Sequence, residues 1–381
     1  MNEKTEIVKG RLLSLDALRG YDMFFIMGGQ GLICAIAALL GFPDFESSFG
    51  HVPWDGLQFM DTIFPLFLFI AGVSFPFSCA KSRQLGLSDR AIAVKCLRRC
   101  LILMMLGLLG GFLRFRFDTM RVWSVLGRIG LAWLIAAWLY LFFKAKTRLV
   151  IAVLTLILVP VFFILVTAPD AATLPYPESL KKLEAFGRGP FSPVGNIGCW
   201  LDRTITGGHT YRELFDPEGF AGILPATVTA LLGVFAGEIV RCEGDATGKK
   251  ALALLGCGGI CALGAWGFST FCPINKALWS STFVLALGSY SFAMFALFYW
   301  IIDVKRFAKW SFFFRVIGMN SITIYLAQRM IGFTQARNYF FGGCAGLFPQ
   351  AWGSIILAIG YIVICWLFLF FLYRKNTFLR V

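Results

Sequence analysis

Charged side chains are scarce in this chain. Only 15% of its 381 residues are Asp, Glu, Lys or Arg, against roughly 25% in soluble domains. Too little polar surface is available to keep a fold of this size in water, which excludes an ordinary soluble enzyme. Histidine is scarcer still, with two in the whole chain, and no Cys and His spacing suits zinc, so no metal is expected. The imbalance of 35 basic to 21 acidic residues suggests nucleic acid until the bases are located. Lys81, Arg83, Arg90, Lys95, Arg98 and Arg99 crowd one short stretch between apolar segments. Such clustering is the positive-inside bias of a membrane protein, answered by topology and anionic lipid, with no nucleic-acid partner expected. Of eleven cysteines, Cys199, Cys272 and Cys344 alone fall in outer segments and give no pairing rule. Cys257 and Cys261, four apart on one helix, read as packing residues.

Apolar residues fill the space that charge leaves. Hydrophobic residues make up 58% of the chain, and mean hydropathy is +0.74. A membrane-spanning helix needs ~20 mostly apolar residues. Windows of that kind fall at 21–40, 59–79, 97–113, 122–143, 149–168, 220–240, 251–271, 279–301, 313–333 and 351–373. The expected fold is all-α: one polytopic membrane bundle of about ten helices over residues 1–381. The third window is the weakest, because Lys95, Arg98 and Arg99 shorten it. Residues 1–20 contain Asp16 and no small-residue cleavage site, so no signal peptide is expected. The basic loops place both termini in the cytoplasm and the loops 41–58 and 169–219 outside.

Ionisable groups at membrane depth are costly, and they point to chemistry or to buried pairs. Asp16 and Arg19 sit three apart at the inner mouth of the first helix, where they can simply pair. The stretch Gly50-His51-Val-Pro-Trp54-Asp55-Gly-Leu-Gln-Phe-Met-Asp61 leads from the first outer loop into the second helix. His51 can serve as a base or accept an acyl group, and Asp61 can hold its ring in one tautomer. A surface histidine beside a helix-capping aspartate is the structural reading, and the bare residues favour it. Arg128 stands inside a span and should face the interior, toward a partner or an anion. The long outer segment ends in Asp216-Pro-Glu218-Gly219; its acids suit a cationic substrate or simply a solvated surface. Asn320 and Ser321 place polar groups in the ninth helix, where helix-to-helix glue is the default role.

Taken in order, "SLDALRG", "HVPWDGLQFMDTIFPLFLFIAGVS", "VLGRIG", "LDR", "DPEG" and "GMNSITIYL" resemble the heparan-α-glucosaminide N-acetyltransferase family and its bacterial transmembrane acyltransferase relatives. The resemblance runs over essentially the full chain. It implies acetyl transfer from cytoplasmic acetyl-CoA, as co-substrate, to the amine of a glucosaminide outside the membrane. It puts the catalytic histidine and its following aspartate on His51 and Asp61, and donor-binding groups on Arg128, Asn320 and Ser321. Trp54, Asp55, Asp216 and Glu218 become candidates for holding the amino-sugar acceptor. A bacterial inner membrane is the expected location, and the resemblance leaves room for a homodimer. Two departures stand out. The lysosomal enzyme carries a luminal domain ahead of its first span, and it has histidine where this chain has Gln328. The rival readings are an O-acyltransferase of envelope glycans and a secondary transporter; a carrier would favour matching halves, and no repeat between 1–190 and 191–381 is evident.

Overall fold

Where the apolar runs are long and free of charge, the backbone has no water to bond with and closes its hydrogen bonds within helices. The computed structural model describes residues 12–42, 44–112, 123–242 and 246–379. Eight helices among them are long and apolar enough to cross a membrane. These are α1 (Leu13–Leu39), α2 (Phe59–Gln84), α4 (Val125–Phe142), α5 (Ala145–Leu165), α7 (Phe220–Arg241), α8 (Gly248–Phe268), α9 (Ser281–Val304) and α13 (Gln350–Arg374). Between them lie α3 (Asp89–Phe112), the short α6 (Ile197–Ile205), α10 (Phe312–Met319), α11 (Ser321–Met330) and α12 (Phe333–Gly346). The described residues form no β-strand, only isolated bridges. The chain is an integral membrane protein built from helices.

The expected count of about ten spans is therefore met by eight, and the two exceptions have separate physical causes. Helix α3 is long, but Lys95, Arg98 and Arg99 interrupt its apolar run. The segment 113–122 that follows it lies outside the described residues, as does 243–245. The expected ninth span breaks at Asn320, whose φ of −127° and ψ of 30° end α10 and start α11. Helix α12, which the hydropathy pattern did not separate, then precedes α13.

Helices approach most closely where side chains are missing. A Cβ on Gly72 of α2 would collide with the Ala230 carbonyl of α7, and one on Gly233 with the Phe69 carbonyl. Small residues let backbones pack directly, which drives helix association in lipid. Helix α1 is bent by a π turn at Phe25–Gly29, with Gly28 at φ 118°. Gln328 of α11 donates to the Ile26 carbonyl at 3.3 Å within that turn.

The outer segment 169–219 is folded rather than loose. Arg203 of α6 pairs with Asp170 at 2.9 Å and donates to the Leu214 carbonyl at 2.6 Å. Leu180, Leu183, Val194 and Phe215 are buried in a small core of its own, which also encloses Trp54. The result is a cap over one end of the bundle.

Gly233→Val should push α7 off α2, because the colliding atom is backbone and cannot rotate away; overpacking costs ~1–3 kcal/mol or more. Gly256→Ala, at a position with open space around it, should leave stability unchanged. Melting of the purified protein in detergent checks the pair. An unshifted melting temperature for Gly233→Val would show that the α2–α7 contact is looser than described.

Candidate active site

Asp61 ends a 3₁₀ turn, Phe59–Asp61, that opens the second span. Its side chain is wholly buried, so its charge needs partners. It finds them in the preceding loop, which curls around it: the backbone N–H groups of Gln58 and Val52 donate to Oδ2 at 3.1 and 3.3 Å. The other oxygen, Oδ1, meets His51 Nδ1 at 2.6 Å and Lys276 Nζ at 3.1 Å. Lys276 Nζ also lies 3.2 Å from His51 Nδ1. One ring nitrogen cannot donate to a carboxylate and accept from an ammonium at once. The short contact to Asp61 makes Nδ1 the N–H donor, and the Lys276 hydrogen bond goes to the carboxylate. Nε2 is then the basic nitrogen, and the side chain of His51 is more than half exposed.

Lys276 is delivered by a backbone junction. Asp55 and Asn275 form an antiparallel bridge, and Gly56 N–H donates to the Ile274 carbonyl at 2.8 Å. Asn275 Nδ2 also donates to Asp55 Oδ1 at 2.9 Å. Burial raises the Asp55 pKa above its ordinary value, and the Asn275 hydrogen bond opposes that shift. Trp54 is buried, donates to the Phe191 carbonyl at 2.8 Å and packs edge-on against Phe215. It pins the histidine loop to the cap.

A mainly apolar cavity of about 210 Å³ opens beside the pair. Its walls include Met23, Ile26, Met60, Ile63, Phe64, Leu126 and Ile129, and its polar lining is His51, Lys276, Glu218, Ser321 and Tyr325. Such a site, apolar with a few convergent polar groups, is the usual form of a small-ligand pocket.

Arg128 does not line this cavity. It is buried, donates to the Gly219 carbonyl at 2.6 Å and lies 5.2 Å from the Trp279 ring centroid. Beside it, Asp202 of α6 accepts from the N–H groups of Phe220 and Ala221 at 2.6 and 3.3 Å. Burial lifts the Asp202 carboxyl to about 6, although Arg128 and these two donors pull the other way. Asp216 is buried too and accepts from Tyr211 N–H at 3.1 Å and Glu218 N–H at 2.9 Å. These contacts shape the turn that carries Glu218 to the cavity wall.

The structure thus gathers His51, Asp61, Glu218 and Ser321 of the expected residues at or against one cavity. Trp54, Asp55, Asp216 and Arg128 surround it as supports. Asn320 ends α10 and donates to the Thr377 carbonyl at 3.3 Å, while its neighbour Ser321 faces the cavity. His209 sits on an exposed turn away from the cavity. Sequence reasoning missed Lys276; a basic residue in an expected outer segment, against the positive-inside trend, was its only signal.

Two curated proteins named heparan-alpha-glucosaminide N-acetyltransferase resemble the chain. That of Mus musculus is 28% identical over 342 residues, covering 77% of this chain and 50% of the relative. That of Homo sapiens is 28% identical over 383 residues, covering 87% of this chain and 54% of the relative. The chain is related to this family. It spans about half the length of the curated relatives it matches. No protein-family model matches. The relationship joins a membrane acyltransferase ancestry to a bundle in which a histidine, a carboxylate and a lysine meet at a cavity mouth. Among the described residues no group of three or more His, Cys, Asp or Glu side chains is arranged to hold a metal ion.

Asp202 provides a test of the cap's electrostatics. A carboxyl raised from 3.8 to about 6 binds its proton more tightly in the native state than in the unfolded chain. Its contribution to stability is therefore fully present at pH values below its unfolded pKa and is lost as pH rises through about 6. Asp202→Asn should flatten this part of the stability profile relative to wild type. Parallel wild-type and variant profiles would show that Asp202 keeps an ordinary pKa.

Proposed function

We propose that this protein is a transmembrane acetyltransferase that moves acetyl from cytoplasmic acetyl-CoA to the amine of a glucosaminide on the outer side of the membrane. The observation that carries this reading is the His51–Asp61–Lys276 cluster at the mouth of an apolar cavity. Kinship with N-acetyltransferases adds the reaction class.

An amine attacks a thioester only through its free lone pair, so the site needs a base. His51 Nε2, aimed by Asp61 at Nδ1, takes the amine proton as the C–N bond forms. The C–S bond then breaks, and the same proton passes from the imidazolium to the thiolate, giving the amide and free CoA. Asp61 stabilises the imidazolium between these two events. Lys276 places positive charge where the thioester oxygen becomes an oxyanion. The apolar walls exclude water that would hydrolyse the thioester. Glu218 supplies a negative charge on the wall that attracts a cationic amino sugar, whose ammonium gives its extra proton to solvent before the free amine attacks. Arg128 and Asn320 act at one remove in this scheme, by fixing the Glu218 turn and presenting Ser321. Trp54, Asp55 and Asp216 hold the histidine loop and the cap in place. Acetyl-CoA is the only cofactor required, and the basic loops orient both termini toward the cytoplasm of a bacterial cell.

A histidine base would also activate a sugar hydroxyl, so the acceptor decides between N- and O-transfer. Purified protein supplied with acetyl-CoA should acetylate glucosamine and its glycosides and leave hydroxyl-only sugars untouched. Acetylation of the hydroxyl-only sugars would turn the assignment to O-transfer, and no acetylation at all would remove it. General-base assistance contributes about 10²–10⁴-fold, so His51→Ala should lose activity on that scale while staying folded. Lys276→Met should lower kcat at least about tenfold if it stabilises the oxyanion. Normal turnover by a folded His51→Ala protein would remove the mechanism.

A further inference from the structure

The turn that brings Glu218 to the cavity wall rests on a buried carboxyl of the cap. Asp202 of α6 is buried, and its Oδ1 accepts from Phe220 N–H at 2.6 Å and Ala221 N–H at 3.3 Å, at the first residues of α7. Gly219 lies directly on the same carboxyl, where a Cβ would collide with it. The Gly219 carbonyl is in turn held by Arg128 of α4 at 2.6 Å. The backbone at 219–221 is thus clamped between an acid and a base from two elements, immediately after Glu218. Neither Asp202 nor Arg128 lines the cavity, so the clamp bears on an acceptor only through where it puts Glu218.

The surroundings of Asp202 decide how it titrates. Arg128 faces it from α4, Asp216 from the same turn and Cys199 from its own helix. Arg203, its neighbour in sequence, is committed to Asp170 and to the Leu214 carbonyl. The α5 side chain packed in the same core is Phe163, which carries no charge. Burial outweighs the attraction of Arg128 and lifts the carboxyl from 3.8 to about 6. A neutral acid keeps both N–H bonds on Oδ1, since the proton takes Oδ2. Ionisation is easier once the carboxyl has left this pocket. A proton therefore holds the clamp shut, and each pH unit above the buried pKa favours opening by up to about tenfold.

We infer that Asp202 is a positioning residue for acceptor binding: its proton keeps the Glu218 turn closed on the cavity, so the aqueous phase on the cap side regulates how tightly a cationic amino sugar is held. The inference rests on the amino-sugar reading and adds to it a capture step favoured by acid. Acceptor affinity and thioester chemistry then depend on different carboxyls, Asp202 and Asp61, and respond to pH separately.

The test measures KM for glucosamine and for acetyl-CoA on the purified full-length protein in detergent, for wild type and for Asp202→Asn, which cannot ionise. The ratio of wild-type to Asp202→Asn KM for glucosamine should rise from about one at about pH 5 to at least about threefold at about pH 7. The same ratio for acetyl-CoA should stay within about twofold of one. Titration of His51 and Glu218 acts on both proteins alike and cancels in these ratios. Hydrogen exchange followed by mass spectrometry reads the turn without turnover. After correction for intrinsic rates, residues 216–222 of wild type should lose protection relative to the middle of α7 between the two pH values, and those of Asp202→Asn should not. The wild-type exchange carries the test alone should the variant fail to fold. A glucosamine ratio that stays flat, or wild-type exchange at 216–222 that keeps step with α7, would overturn the inference. A protein that acetylates no amino sugar at any pH would remove the acetyltransferase reading instead, and exchange would still decide whether Asp202 controls the turn.

Discussion

The site depends on one buried carboxylate. Asp61 is buried at the entry to a membrane helix, and it is satisfied by four donors from two loops. The backbone at Val52 and Gln58 wraps Oδ2, while His51 and Lys276 share Oδ1. A loop on one side of α2 and a loop 215 residues away in sequence are thereby drawn to the same atom. Removing the carboxylate would leave a lysine, an imidazole and two amide N–H groups unmatched at a membrane boundary. An unmatched buried group costs ~1–3 kcal/mol each. The constraint that folds the loop is also the one that orients the His51 ring, so stability and the proposed chemistry are served by the same bonds.

The cap adds a second level of control. Trp54 is locked into the outer segment, and Arg128 ties the bundle to the turn at Gly219. Glu218 reaches the cavity only because Asp216 and Asp202 spend their hydrogen bonds on neighbouring backbone. The π turn in α1 and the break at Asn320 both border the same space, which Ile26 and Ser321 line. Irregular backbone at membrane depth is tolerated where protein or a cavity receives its polar groups, and here the Ile26 carbonyl is received by Gln328.

Much of this was legible in the sequence, for identifiable reasons. Hydropathy is a sum over some twenty positions, so the helical class and eight of the spans were readable, and His51 with Asp61 stood out because polar residues are rare in such a chain. Span counting failed where local chemistry overrides the sum. Three basic residues interrupt the apolar run of α3, of which Arg99 turns inward onto Trp133, and a single Asn ends α10. Lys276 was hidden because its meaning lies in a contact across 215 positions, made through the Asp55–Asn275 bridge. Arg128 was rightly expected inside the bundle, but nothing local shows that its partner is the Gly219 carbonyl.

The central claim is that the bundle carries an acyl group between two aqueous sides that never mix. Proteoliposomes holding glucosamine inside, with acetyl-CoA added only outside, test it directly, since neither solute crosses a sealed bilayer unaided. The account predicts N-acetylglucosamine accumulating in the lumen of vesicles whose protein presents its basic loops outward. Product that forms only when donor and amine share one compartment would contradict it.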